Sequence, residues 1–176
     1  MKHFLISITF FLAFLTNAFG QSYLGYIGKS TELIDTNRAI IKHLPKGDAV
    51  FLTSLELQEG HYNIVHIKSN KEGFIPRKDV VIERVIPQTE GNVFTSIKTS
   101  DVKDPIIKVF NNSKYGMTVK INSVLYELQP KEKRTIHLKN GRLYYRVSCQ
   151  YIEPYYGTEL IENFHLYEWE FYIADL

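Results

Sequence analysis

The stretch from Gly60 to Pro76, GHYNIVHIKSNKEGFIP, constrains the fold of this chain more than any other. Apolar and polar residues alternate from His61 to Lys68, with the two-residue period of a half-buried strand. A polar turn at Ser69-Asn70-Lys71 follows, and a second short apolar run ends at Pro76. Two such runs joined by a turn predict a β-hairpin.

Composition extends this expectation to the whole chain. Aromatic residues make up 14% of the 176 residues, and twelve of them are tyrosines. Aromatic and β-branched side chains favour the half-buried surface of a pleated sheet. We therefore predict an all-β fold.

The region around the hairpin resembles the SH3-type barrel, in particular the bacterial SH3 domains of exported proteins. The resemblance rests on Lys46-Gly47-Asp48 before an apolar strand, on Gly60-His61-Tyr62-Asn63-Ile64, and on the run EGFIPRKDV that ends at Val80. It covers about residues 23–85 and implies a small SH3-like barrel at residues 21–86. The barrel core is expected to contain Val50, Leu52, Ile64 and Ile75.

The same resemblance implies a binding or docking role. Bacterial SH3 domains bind cell-wall peptides or dock within larger exported proteins, and the residues that would line such a site are Tyr26, His61, Tyr62 and Asp79. His61 and Asp79 stand where a polyproline-binding groove usually has aromatic walls. The expected partner is an envelope or secreted protein, or a cell-wall peptide; the alternative is a structural module without a small ligand.

Residues 87–104 are polar with scattered apolar positions, and we predict a linker there. Alternation resumes at Pro105, and Asn140-Gly141 is a strong hairpin signal. Six or seven short strands at this spacing predict a compact β-sandwich at residues 105–176. This half resembles accessory β domains of exported proteins of the Bacteroidota.

A tyrosine-rich stretch follows the longest predicted strand of this second half. Tyr151, Tyr155 and Tyr156 flank Pro154 in what we predict to be a loop. An exposed cluster of rings would mark a contact surface. Alternatively, the loop folds over the open end of the sandwich and buries its rings.

The remaining residue patterns favour a protein without catalysis. Glu168 and Glu170 are two residues apart on a predicted strand, so their Cα atoms lie about 6.6 Å apart. This spacing fits the carboxylate pair of a glycosidase, but every pair of residues two apart on an exposed strand has the same spacing. Cys149 shares an apolar face, as a small buried hydrophobe does, although His137 or His165 could serve it as a base.

We therefore predict no catalytic residue, no metal and no cofactor, and a binding protein acting through both halves. The alternative is a small cell-wall hydrolase, or an inhibitor of one, acting through the C-terminal domain. A nucleic-acid partner is not expected, because 21 basic against 19 acidic residues leave no large positive excess.

Residues 1–20 have the pattern of a signal peptide. Lys2 precedes an apolar run from Phe4 to Leu15, and the small residues Ala18 and Gly20 lie three and one positions before Gln21. The run is shorter than the about 20 residues of a membrane span. The residue directly after the expected cut is Gln21 and not a cysteine, so a lipoprotein anchor is not expected. The mature protein is predicted to be secreted or periplasmic, without an integral membrane span.

Export gives the first testable prediction. N-terminal sequencing of the protein from its native host should start at Gln21 or within one or two residues of it, because the small residues before Gln21 suit signal peptidase. Recovery of chains with an intact Met1 in a membrane fraction would contradict this.

Overall fold

The computed structural model of the chain describes residues 21–89 and 93–173, and the predicted signal peptide lies outside these described residues. They form fifteen β-strands and one 3₁₀ turn, so the all-β prediction is confirmed. None of the helical structure in the described ranges is long and apolar enough to cross a membrane.

The first seven strands form one antiparallel sheet, called here the N-terminal sheet. Their order across the sheet is β3-β2-β6-β5-β4-β1-β7. The predicted hairpin is β5 and β6, and the 3₁₀ turn Arg77–Asp79 joins β6 to β7. The strands are β1 (Ser22–Ile27), β2 (Thr31–Ile34), β3 (Ile40–Leu44), β4 (Ala49–Gln58), β5 (His61–His66), β6 (Lys71–Pro76) and β7 (Val80–Ile86).

All seven strands send side chains into one core. Its members are Ile27, Leu33, Leu44, Val50, Leu52, Tyr62, Ile64 and Ile75, with Tyr23 and Val80 packed against them. The four core residues expected from the sequence are all completely buried. One cluster can take side chains from every strand only if the sheet curls around it. The SH3-like barrel itself stays a prediction.

Gly73 shows how tightly this sheet closes. A Cβ atom at Gly73 would lie 2.6 Å from the carbonyl oxygen of Ile34, where β6 meets β2. Only glycine allows the two backbones to approach so closely.

The second half consists of two four-stranded sheets that face each other. The middle sheet has the order β11-β10-β13-β14, and the outer sheet has the order β12-β9-β15-β8, with β15 parallel to β9. Their strands are β8 (Thr95–Lys98), β9 (Ile106–Asn111), β10 (Met117–Ile121), β11 (Val124–Leu128), β12 (Lys133–His137), β13 (Gly141–Cys149), β14 (Ile152–Ile161) and β15 (His165–Phe171). This is the arrangement of a β-sandwich.

Aromatic rings fill the core between these two sheets. The Trp169 ring lies 4.6 Å from that of Phe94, 5.0 Å from Tyr145 and 4.4 Å from Phe171, measured between centroids. Gly157 leaves room for Tyr145, since a Cβ there would lie 2.3 Å from the tyrosine oxygen. Without a disulfide, this dense packing carries the stability of the half.

The position of Phe94 corrects the predicted linker. Residues 87–104 contain β8, an edge strand of the outer sheet, and Phe94 is buried in the sandwich core. The four residues of β8 are all exposed. The segment therefore shows no alternation of buried and exposed positions, and its sequence resembles that of a linker.

The outer face of the middle sheet packs against the N-terminal sheet, and Tyr156 is the anchor of this contact. Its ring meets the Phe51 ring edge-on, with centroids 6.0 Å apart. Its hydroxyl donates to the carbonyl oxygen of Ile86 at 3.0 Å and accepts from the amide of Ser22 at 3.1 Å. Phe51, Val65, Ile86 and Tyr156 form a shared buried cluster.

A partly buried ion cluster lies beside Tyr156 in the same contact. The Glu72 carboxylate accepts from Arg146 at 2.6 Å and from Lys120 at 2.9 Å, and Arg146 is 3% exposed. Burial alone would raise the pKa of Glu72, but the two cations hold it below its usual range. Asn70 also donates to the Thr118 hydroxyl at 3.0 Å. Apolar and ionic contacts together join the two halves into one body.

The hydroxyl of Tyr156 gives a second prediction. Tyr156→Phe should lower the free energy of unfolding by about 1–3 kcal/mol, because the buried amide of Ser22 and carbonyl of Ile86 lose their partner. The control is Tyr172→Phe, whose ring is 76% exposed and whose effect should stay within about 0.5 kcal/mol. Urea denaturation followed by Trp169 fluorescence measures both; equal effects would contradict the assigned role.

Candidate functional site

The four residues predicted to line an SH3-like groove do not form one exposed surface. Tyr62 is buried in the core of the N-terminal sheet. Asp79 is also buried, and its carboxylate accepts from the Thr31 hydroxyl at 2.9 Å. Tyr26 pairs with Ala49 at one end of β4 and is partly exposed, whereas His61 pairs with the other end of that strand.

His61 borders a small cavity on the N-terminal sheet. The cavity has a volume of about 220 Å³, and Ile34 and Phe74 form its apolar wall. An ion pair between Arg38 and Glu59, which also line it, joins its two loops. The His61 ring is held by a hydrogen bond to the Glu59 carbonyl oxygen at 2.9 Å. Of the four groove residues, only His61 borders this cavity.

The three tyrosines predicted to bind a partner, Tyr151, Tyr155 and Tyr156, have three different environments. The predicted loop is mostly strand β14, and only Tyr151, in the turn before it, is widely exposed, at 68%. Tyr156 is buried against the N-terminal sheet. Tyr155, on the opposite face of β14, is half-buried and lines a pocket. The strand alternation therefore separates the two adjacent rings.

This pocket, called here the end pocket, opens where the sandwich ends. It has a volume of about 390 Å³ and lies between the ends of β13 and β15 and the start of β14. Most of its lining is apolar. The lining residues are Met117, Val147, Ser148, Cys149, Ile152, Glu153, Tyr155, Glu170, Phe171, Tyr172 and Ile173.

The aromatic wall of the end pocket continues the sandwich core. The Tyr155 ring lies 6.4 Å from both Tyr145 and Phe171, and Phe171 in turn contacts Trp169. Burial raises the pKa of Tyr155, so its hydroxyl stays protonated. A group that enters the pocket would therefore meet rings held in place by the core behind them.

Cys149 contributes a buried thiol to the lining. The thiol donates to the carbonyl oxygen of Gly116 at 3.4 Å, and burial raises its pKa. His165 starts β15, six residues from Phe171 at the pocket, which is about 20 Å along a strand. His137 belongs to β12, the far edge of the outer sheet. Neither histidine is placed to activate the thiol.

Two glutamates, Glu153 and Glu170, border the end pocket. Glu153 accepts from Arg84 of β7 at 2.6 Å, which ties the rim to the N-terminal sheet. Glu170 accepts from the side-chain amide of Asn112 at 2.7 Å. Glu168, its partner in the glycosidase spacing, is not part of the pocket lining. Glu168 and Glu170 both line a second cavity, on the outer sheet, together with Lys108 and Lys133.

A serine–histidine–aspartate contact that sequence reasoning missed occurs in the N-terminal half. His66 Nδ1 lies 2.7 Å from the Ser69 hydroxyl, and Nε2 lies 2.9 Å from the Asp48 carboxylate. The imidazole is completely buried. A general base must reach the substrate as well as the nucleophile, and a completely buried ring cannot do so. We therefore interpret these hydrogen bonds as a structural link between the turns that contain Asp48 and Ser69.

Burial also makes His66 sensitive to pH, which is a third prediction. Burial of the ring lowers the pKa of His66, although Asp48 acts in the opposite direction. The unfolded chain takes up this proton near pH 6.5 and the folded chain only at lower pH. The free energy of unfolding should therefore fall as the pH drops below about 6.5.

Urea denaturation of His66→Gln at about pH 7.5 and about pH 5.5 tests this assignment. The variant should lose part of the pH dependence, whereas His43→Gln, at an exposed position, should keep it. An unchanged pH dependence in His66→Gln would show that other groups cause it.

The end pocket is a largely apolar site with aromatic walls. Within residues 21–89 and 93–173, no three His, Cys, Asp or Glu side chains are grouped so that they could hold a metal ion. Comparisons of the chain with protein-family models, with curated proteins and with solved structures found no match.

Proposed function

We propose that the protein is an exported, non-enzymatic binding protein whose end pocket receives an apolar group of an envelope or secreted partner. The observation that carries this proposal is the pocket itself, about 390 Å³ in volume and walled by Tyr155 and Phe171. A dry apolar cavity of roughly 150 Å³ already holds benzene. Pockets for small ligands span roughly 300–1,000 Å³.

The polar groups of the pocket support binding and not catalysis. The Cys149 thiol is buried, its pKa is raised, and its hydrogen bond goes to a backbone carbonyl. A reactive thiol needs a lowered pKa. Glu153 is engaged with Arg84. These groups can contact and orient a ligand without reacting with it.

In this proposal the N-terminal half holds the residues of the end pocket in position. Arg84 holds one rim residue, and the cluster around Tyr156 fixes the strand that carries Tyr155. The resemblance to bacterial SH3 domains adds a docking role for this half. Secretion or periplasmic location rests on the pattern of residues 1–20 and belongs to the same proposal.

A neutral aromatic probe gives the fourth prediction. 2-Phenylethanol should change the fluorescence of Trp169, the one tryptophan of the chain, in a saturable way, because Phe171 connects the pocket to that ring. Ile152→Gln should weaken this binding by about five-fold, as expected for about 1 kcal/mol of lost apolar contact.

The matched control is Leu160→Gln, on the same strand but outside the pocket lining, where the side chain is 68% exposed. It should bind the probe as the parent chain does. Fluorescence that never saturates, or equal affinity in the two variants, would refute the end pocket as the binding site.

A further inference from the structure

We infer that one end of the N-terminal sheet, called here the lysine end, binds an acidic polysaccharide. The lysine end consists of three loops: residues 28–30 between β1 and β2, residues 45–48 between β3 and β4, and residues 67–70 between β5 and β6. None of these loop residues belongs to the lining of the end pocket. The inference therefore concerns a second surface and goes beyond the proposed function.

Hydrogen bonds hold the three loops side by side. Strand β4 lies between β1 and β5 in the sheet. On one side of it, the backbone amide of Lys46 donates to the Ser30 hydroxyl at 3.2 Å. On the other side, the amide of Ile67 donates to the carbonyl oxygen of Ala49 at 3.2 Å. Since neighbouring strands lie about 4.8 Å apart, the three loops start within about 10 Å of one another.

Each of the three loops carries one lysine at its surface. They are Lys29, Lys46 and Lys68, and all three are exposed. Among the described residues, none of their ammonium groups takes part in a hydrogen bond or an ion pair. A group of unneutralised charges of one sign attracts a ligand of the opposite sign. The three loops are therefore suited to bind several negative groups of one molecule.

Lys42 of β3 adds a fourth positive charge at this end. Its side chain is half-buried. The buried His66, the last residue of β5, shows the effect: burial lowers the pKa of His66, Asp48 acts in the opposite direction, and the charges of Lys42 and Lys68 lower it further. Positive charge is thus concentrated here, although the whole chain has 21 basic and 19 acidic residues.

The acidic side chains close to these loops are engaged elsewhere. Those within two positions of a loop, with their partners, are Glu32 with His43, Asp48 with His66, and Glu72 with Lys120 and Arg146. Asp79, whose backbone carbonyl accepts from the amide of Gly28, is buried and bonded to the Thr31 hydroxyl. These four carboxylates therefore leave the exposed lysines without a counterion.

An exposed aromatic side chain stands beside the third loop. The amide of Tyr151 donates to the carbonyl oxygen of Ile67, one residue before Lys68, at 2.9 Å. The Tyr151 side chain is 68% exposed. A sugar ring has a face of C–H groups that can pack on such a ring. A single ring beside three lysines differs from the rows of aromatic residues with which proteins bind single-stranded nucleic acids, and it fits an acidic sugar chain.

Polymers of matched charge test this inference. Residues 21–176 are titrated with polygalacturonate, which has one carboxylate per sugar, with polyglutamate, which has one per amino acid, and with uncharged dextran. Isothermal titration calorimetry and NMR amide shifts are the readouts. Polygalacturonate should bind saturably at about 50 mM salt and dextran should not. Added salt should weaken the binding, because lysines that neutralise a polyanion release its counterions.

Single substitutions assign the binding to the lysine end. Lys29→Gln, Lys46→Gln and Lys68→Gln should each weaken the binding of polygalacturonate by about five-fold, the factor for unit charges about 4 Å apart in water. The matched controls are Lys103→Gln and Lys139→Gln, at exposed positions outside the three loops, which should bind as the parent chain does. Urea denaturation shows whether each variant is folded.

Tyr151→Ala tests whether the ligand is a sugar chain. It should weaken the binding of polygalacturonate by about two- to ten-fold, as expected for the loss of one aromatic contact, and leave that of polyglutamate unchanged. Equal effects on the two polymers would overturn the assignment to a polysaccharide. Tighter binding of a thymidine oligonucleotide than of polygalacturonate would overturn it as well.

Two further outcomes would refute the lysine end itself. One is the absence of saturable binding to polygalacturonate. The other is an equal loss of affinity in the loop variants and in the two controls, because overall charge would then explain the effect. Neither outcome bears on the end pocket, which is tested with an uncharged probe.

Discussion

The contact of Tyr156 with the N-terminal sheet is the interaction on which the rest of the structure depends. A tyrosine of the middle sheet fills a cluster made with Phe51, Val65 and Ile86, and its hydroxyl bonds two backbone groups of the other half. Buried aromatic anchors of this kind commonly dominate the energy of an interface. Here the interface lies within one chain, so it fixes how the halves are arranged.

Strand β14 connects this contact to the candidate site. Tyr155 and Tyr156 are adjacent, and strand alternation points one ring into the end pocket and the other into the interface. Arg84 adds a second connection, since it reaches from β7 to the pocket rim at Glu153. Disturbing the interface should therefore also disturb the pocket.

Local alternation made much of the fold predictable. It located the β5–β6 hairpin and the buried Val50, Leu52, Ile64 and Ile75. It could not show what covers the other face of a strand. Phe51, between the core residues Val50 and Leu52, is also completely buried, because the second half covers it.

Contacts between distant segments account for what the sequence did not show. Phe94 joins a core built from strands that follow it in the chain. The end pocket forms where the connection between β13 and β14 lies next to the end of β15. Of the residues proposed for binding, Tyr155 is the one that lines this pocket. Nothing in the spacing of the tyrosines distinguishes it from Tyr156.

A urea titration of residues 21–176 followed by NMR tests most directly whether the two halves are one body. Amide signals of Ile64 report on the N-terminal core, and those of Val119 report on the sandwich core. If the interface joins the halves, both sets should disappear at the same urea concentration, as in a single cooperative transition. Two separate midpoints, with one half still folded after the other has unfolded, would contradict the account.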